Sequence, residues 1–200
     1  MRFSSVELRH IGRAWLVVSL AFAVMLSDFP LLSLGFLAVF GMAGFTVGLG
    51  FLLHELAHKW LAQRYGCKAE FRAFDSMLLL ALAMSFFGFV FAAPGAVFIK
   101  GNISKAANGL VSAAGPLVNI CLAFVFFIAG SLVPFAGVSP FLSDFAAYGF
   151  RINSWLAVFN MLPFWQLDGL KVLGWSKAAY AVITAAAILS MALPYVFRLF

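Results

Sequence analysis

Leu49-Gly50-Phe51-Leu52-Leu53-His54-Glu55-Leu56-Ala57-His58 lies late in an apolar run that extends from Leu31 to about Gln63. The run exceeds the roughly 20 residues needed to span a bilayer as a helix, so it reads as a membrane helix. On such a helix His54 and His58, four apart, project from one face and can bind a single metal. Glu55 is offset by one position, placed to reach a water at the metal rather than the metal itself. That is the mechanical sense of an H-E-x-x-H pattern. Ionisable side chains at mid-helix in a membrane cost about 2.5–3.5 kcal/mol each, so three together are not ornament. The plainer reading is a polar helix end at the interface beside Lys59 and Arg64; it is the weaker one.

The composition supports a membrane setting. Of 200 residues, 64% are hydrophobic and 10% charged, with a mean hydropathy of +1.05. A soluble domain is nearer half apolar and a quarter charged. The net charge is +6, but Lys and Arg fall mainly between apolar runs, where they orient membrane proteins. No basic, aromatic-interleaved surface is long enough to track nucleic acid. Cys67 and Cys121 have no paired spacing, which excludes a disulfide framework and a cysteine zinc site. Arg2, Arg9 and Arg13 before an apolar stretch, with Ala21-Phe22-Ala23, imitate a signal peptide. The run continues to Leu26, which favours a retained helix.

Six apolar stretches qualify or nearly qualify as spans: about 14–26, 31–63, 77–93, 110–132, 141–162 and 178–197. The expected fold is an all-α polytopic membrane protein of five to six transmembrane helices. A re-entrant or short β-like segment is expected near the active site. The whole of 1–200 is expected to form one transmembrane domain, with accessory helices at about 14–28 and 177–198. Lys/Arg bias places the amino terminus on the cytoplasmic side and the turn around Asp28 outside. It returns Lys59, Arg64, Lys68 and Arg72 to the inside. Lys100 and Lys105 also favour inside, so both flanks of the 77–93 stretch carry a cytoplasmic signature. A re-entrant hairpin there is favoured over a crossing, and its non-helical backbone must be buried in protein or line a wet cavity. Arg151, well inside the fifth stretch, either pairs with Asp144, snorkels outward, or meets lipid or substrate.

A catalytic zinc takes three protein ligands and leaves one position open. His10 lies in the polar amino-terminal arm, so the third ligand is expected to be an oxygen within the membrane region. Asp168, in Asn160-Met161-Leu162-Pro163-Phe164-Trp165-Gln166-Leu167-Asp168-Gly169, is the best candidate. It is read as ending a long apolar helix on the same side as the HELAH helix. Pro163 disrupts the local ladder and Gly169 allows a sharp turn. A plain Asp-Gly turn is the competing reading.

HELAH on one membrane helix and N-x-x-P-x-x-x-L-D-G on a later one together resemble the site-2 protease family of intramembrane zinc metalloproteases. Ala114-Gly115-Pro116-Leu117-Val118-Asn119 is similar to that family's A-G-P-x-x-N. Pro94-Gly95-Ala96-Val97 resembles its Gly-rich strand beside the active site. The resemblance covers about residues 31–170, which it marks as the expected catalytic core. It implies one zinc held by His54, His58 and Asp168, Glu55 as catalytic acid and base, and cleavage within or near a substrate's transmembrane segment. It also implies an active site toward the cytoplasmic half of a multi-pass protein, with the cell membrane as the expected location. The expected partners are a transmembrane protein substrate and the lipid bilayer. Asn119 is a candidate oxyanion donor or substrate holder, against a plain interhelical hydrogen bond. Asn160 is expected to support the Asp168 loop. Gly95 and Val97 belong to an extended segment that could pair with an unwound substrate strand. A membrane metal transporter and a non-catalytic helix-binding relative are the competing functions. The transporter would need further ligands along a path.

Overall fold

The apolar run around HELAH folds as two α-helices in one line. Helix α2 (Leu34–Ala43) passes through a π-helical turn at Gly44–Gly48 into α3 (Leu49–Arg64), giving a continuous helix of 31 residues. The π turn packs against α1 (Ser5–Leu26). A Cβ on Gly48 would stand 2.5 Å from Ser19 Oγ and 2.8 Å from Trp15 Nε1. Trp15 Nε1 donates to the Gly44 carbonyl at 3.0 Å, a carbonyl that also accepts the Leu49 amide across the π turn. Glycine here serves close helix approach, as small residues do between membrane helices.

This computed structural model describes residues 1–90, 94–136 and 140–197. The end of the 77–93 stretch, part of the 133–141 connection and the last residue of the expected 177–198 helix lie outside them. After α3 come β1 (Lys68–Ala73), α4 (Asp75–Ser85), β2 (Gly95–Lys100), α5 (Lys105–Ala136), α6 (Pro140–Asn160), α7 (Asp168–Trp175) and α8 (Lys177–Phe197). The fold is mostly helical. Among the described residues three helices are long and apolar enough to cross a membrane: Ser5–Leu26, Leu34–Arg64 and Lys105–Leu132. Two of the other stretches fall short of that mark for physical reasons. Helix α4 has 11 residues, about half a hydrocarbon core in length. Helix α6 interrupts its apolar sequence with Asp144, Arg151, Asn153 and Asn160.

The short β-like segment is an antiparallel ribbon. Lys68 faces Lys100, Glu70 faces Phe98, Phe71 faces Val97 and Ala73 faces Gly95. The Phe74 amide also donates to the Pro94 carbonyl at 3.0 Å. The segment between the strands therefore leaves and returns at one place, the geometric counterpart of two similarly charged flanks. Gly95 is required by crowding rather than by a turn: a Cβ there would stand 2.4 Å from the Phe71 ring and 2.7 Å from the Arg72 carbonyl.

The outer edge of β1 is closed by side chains in place of a third strand. Glu7 Oε1 accepts the Phe71 amide at 2.8 Å, His10 Nδ1 accepts the Ala73 amide at 3.0 Å, and Gln63 Nε2 donates to the Ala69 carbonyl at 3.3 Å. The other oxygen of Glu7 pairs with Lys59 Nζ, and both side chains are fully buried. Two apolar clusters flank the seam between α3 and α5. Val18, Val47, Phe51, Phe71 and Leu78 join α1, the π turn, α3, the ribbon and α4. Ile120, Ala157, Met161, Val172 and Ile183 join α5 to α6, α7 and α8.

Candidate metal centre

Helices α3 and α5 meet along facing stripes of four-residue spacing. Gly50, His54 and His58 on α3 oppose Asn119, Gly115 and Val111 on α5, in reverse order. Gly115 is the point of closest approach, since a Cβ on it would stand 2.5 Å from both His Nε2 atoms. Only glycine leaves the two imidazoles room. The A-G-P-x-x-N segment is thus a seat for the two histidines.

Each ring is held by its outer nitrogen. His58 Nδ1 donates to the Val111 carbonyl at 2.7 Å. His54 Nδ1 donates to Asn119 Oδ1 at 2.6 Å. Asn119 is fixed in that orientation because its Nδ2 donates to the Gly50 carbonyl at 3.3 Å and to Asn153 Oδ1 at 3.0 Å. Asn153 Nδ2 in turn donates to the Gly149 carbonyl at 2.8 Å. With both Nδ1 atoms donating, both Nε2 atoms are left as lone-pair acceptors. That arrangement fixes the tautomer and ring direction of a metal-binding histidine.

The third corner comes from α7. Asp168 does not end the preceding helix, as the sequence suggested; it opens a new one. Helix α6 stops at Asn160, the chain turns through Pro163 and Trp165 (φ 53°), and α7 begins at Asp168. Gly169 is helical, and its missing side chain serves contact rather than a turn. A Cβ there would lie 2.2 Å from the Met161 carbonyl oxygen. Gly109 likewise admits Trp175, whose Cβ would be 2.4 Å from an added methyl. Those two contacts lock α7 onto α6 and α5 and aim Asp168 at the seam.

Asp168 Oδ2 stands 3.2 Å from His54 Nε2 and 3.1 Å from His58 Nε2, and the two nitrogens are 3.0 Å apart. All three residues are buried. Tetrahedral zinc with ligand bonds of 2.0–2.1 Å sets donor separations of about 3.3 Å. Three acceptors at nearly that spacing, with their outer nitrogens already committed, fit one zinc ion.

Glu55 is half-buried and within electrostatic reach of His54, His58, Asp168 and Lys171. Lys171 Nζ lies 3.7 Å from Asp168 Oδ1, a partner the sequence did not suggest. Asn119 reaches the site, but both its N–H groups are engaged, leaving neither for an oxyanion. Asn160 donates to the Leu156 carbonyl at 3.0 Å, within its own helix rather than to the Asp168 loop. Val97 packs with Phe51 and Phe71, and Gly95 lies at the start of β2, so both belong to the ribbon and not to the ligand cluster. Arg151 and Asp144 are exposed and form no ion pair among the described residues. Asn153 and Gly50 were missed by sequence reasoning. The four-residue spacing of Gly50 with His54 and His58 was the available signal for Gly50; Asn153, on α6, had none.

The chain is 40% identical over 190 residues, 91% of each sequence, to a Methanocaldococcus jannaschii protein named "Putative zinc metalloprotease MJ0611". It is 32% identical over 150 residues to a Bacillus subtilis protein named "Putative zinc metalloprotease YwhC", covering 64% of this chain and 65% of that one. No family model matches the sequence, and no solved structure matches it.

Proposed function

The chain belongs to the zinc metalloprotease family of these two relatives, and from that premise we propose that it is an intramembrane endopeptidase of the site-2 protease kind. Its substrate is the transmembrane segment of another membrane protein. The observation that carries this reading is the position of the ligand triad: two of its members lie on a 31-residue apolar helix, within its last three turns.

In this reading α1, the α2–α3 helix and α5 cross the bilayer, and α6 and α8 add two further crossings. At 21 residues each they reach about 30 Å, enough for the hydrocarbon core. The α4 hairpin enters and leaves on one side. Its exposed Leu79, Phe86 and Phe87 suit contact with lipid. The amino terminus and the zinc site then face the cytoplasm, in keeping with the Lys/Arg bias.

Zinc held by His54, His58 and Asp168 would supply Lewis acidity toward the scissile carbonyl and the attacking water. Glu55 takes a proton from that water as its oxygen bonds to the carbonyl carbon. It then delivers the proton to the departing amine nitrogen as the C–N bond breaks. Asn119 and the Val111 carbonyl keep the imidazoles aimed throughout, so no reorganisation is needed at the moment of reaction. An unwound substrate needs partners for its backbone in lipid. The outer edge of β2, at Gly95, Val97 and Ile99, faces away from β1 and supplies them by strand addition. A proline at Val97 should then slow cleavage without loss of zinc.

A metal transporter would need a second binding station. Among the described residues His54, His58 and Asp168 are the single cluster of this kind, which favours the protease. The deciding experiment is cleavage of a reporter transmembrane peptide by purified protein with zinc, with wild type and Glu55→Gln compared. Cleavage by wild type, lost in the variant and with chelator, is expected. Equal cleavage by both would remove Glu55 from the chemistry. Absence of cleavage by zinc-loaded wild type across several helix-breaking substrates would overturn the protease reading.

A further inference from the structure

At the end of the molecule where α1 begins and α3 ends, an open groove of about 1160 Å³ runs between the amino-terminal arm and the outer face of the ribbon. The arm is held to α3 through Gln63, whose Oε1 accepts the Arg2 amide at 3.2 Å and whose Nε2 donates to the Arg2 carbonyl at 3.4 Å. Five cationic side chains line the groove: Arg2, Arg64, Lys68, Arg72 and Lys100. Its two carboxylates are already engaged, Glu7 by Lys59 and Glu70 by Ser4 and Arg72. Arg2, Arg64, Lys68 and Lys100 have no carboxylate partner among the described residues. Arg72 gives Nη2 to Glu70, while its Nη1 is buried with no hydrogen-bond partner among the described residues.

The ribbon adds a second, independent observation. Lys68 and Lys100 stand directly opposite each other in its register. Like charges directly opposite on paired strands repel and destabilise the pair. The chain nevertheless holds them there, both exposed, at the groove's wall. An anion seated between them would turn that repulsion into attraction.

Depth in the membrane identifies the anion. The groove lies at the ends of two helices long and apolar enough to span, Ser5–Leu26 and Leu34–Arg64. The ends of such helices meet the headgroup layer. Half-exposed Phe3, Trp60 and Phe98 line the same groove, and the Arg64 guanidinium lies 4.8 Å above the Trp60 ring. Cations beside an aromatic lip at this depth match a phosphate with acyl chains below it. We propose that this groove seats the headgroup of an anionic phospholipid. The site is separate from the metal centre and does not depend on the proteolytic reading.

The test is retention of phosphatidylglycerol against phosphatidylcholine by the full chain in uncharged detergent, read by native mass spectrometry. Wild type should retain phosphatidylglycerol selectively. The double variant Lys68→Gln/Lys100→Gln should lose roughly 30-fold in affinity, from two near-surface cations. A control pair, Lys105→Gln/Lys177→Gln, removes the same charge elsewhere and should retain the lipid as wild type does. Equal retention by the first pair and wild type would overturn the proposal, as would equal losses in both pairs. Full competition by inorganic phosphate at matched concentration would also overturn it, in favour of a free-anion site. Unchanged melting of the variants in phosphatidylcholine micelles checks that they are folded.

Discussion

His58 and Lys59 are consecutive residues of α3, both buried, and they enter two polar clusters of opposite character. His58 faces α5 and joins His54 and Asp168 in a set of three acceptors. Lys59 faces α1 and meets the Glu7 carboxylate, whose second oxygen takes the Phe71 amide. The first cluster points three acceptors at one spot, and Lys171 meets only the other oxygen of Asp168. The second is closed within the chain, charge against charge and donor against acceptor. Burial of polar groups is therefore not in itself a sign of a working site; an excess of one hydrogen-bonding type is.

The comparison breaks most visibly if the first cluster loses a corner. Asp168→Ala should abolish stoichiometric zinc at concentrations that saturate the parent, by metal analysis after gel filtration. Glu55→Gln should keep its zinc. The second cluster should fail differently. Lys59→Met strands a buried carboxylate and should cost about 3–5 kcal/mol in detergent unfolding, with zinc still bound by whatever remains folded. Adding Glu7→Gln keeps an acceptor for the Phe71 amide and should recover most of that loss. If the double variant is no better than the single one, the pair is not closed as described.

A gentler probe of the first cluster is Asn119→Ala. It frees His54 Nδ1 and should weaken zinc 10–100-fold, the usual range for partners behind a metal ligand. An unchanged affinity would mean that the ring is held by packing alone. The smallest effect is expected at the arm. The Ser4 hydroxyl holds the Glu70 carboxyl below its ordinary range against desolvation, and Arg72 adds to the lowering. Its contribution is present above about pH 5 and lost as pH falls through the lowered value. Ser4→Ala should reduce that acid-side dependence of melting temperature slightly and leave zinc untouched.

The two clusters also differ in how far they could be read from letters. HELAH was legible because both ligands sit on one helix at a spacing with a geometric meaning. Asp168 was legible as a ligand candidate but not in its setting, because a positive φ at Trp165 and the contact of Gly169 with Met161 depend on how α6 ends. Asn119 was legible as important; its true partners lie on two other helices, so its role was not. The Glu7–Lys59 pair was not singled out at all. Each residue alone resembles an ordinary charge at a helix end, and 52 positions separate them. The same-sided flanks of the α4 segment could be inferred from charge, and the pairing of β1 with β2 brings those flanks together.

The π turn at Gly44–Gly48 carries a further consequence. Rewinding it as a regular α-ladder, with no residue lost, would advance everything after it by about one residue's rotation, on the order of 100°, relative to α2. His54, Glu55 and His58 would survive as letters, and a motif search would still find them. With α2 held by α1, however, the imidazoles would turn away from Gly115 and Asp168. The register of five glycine-bounded residues, nearly two turns upstream of the motif, is therefore as much a part of the metal's address as the histidines themselves.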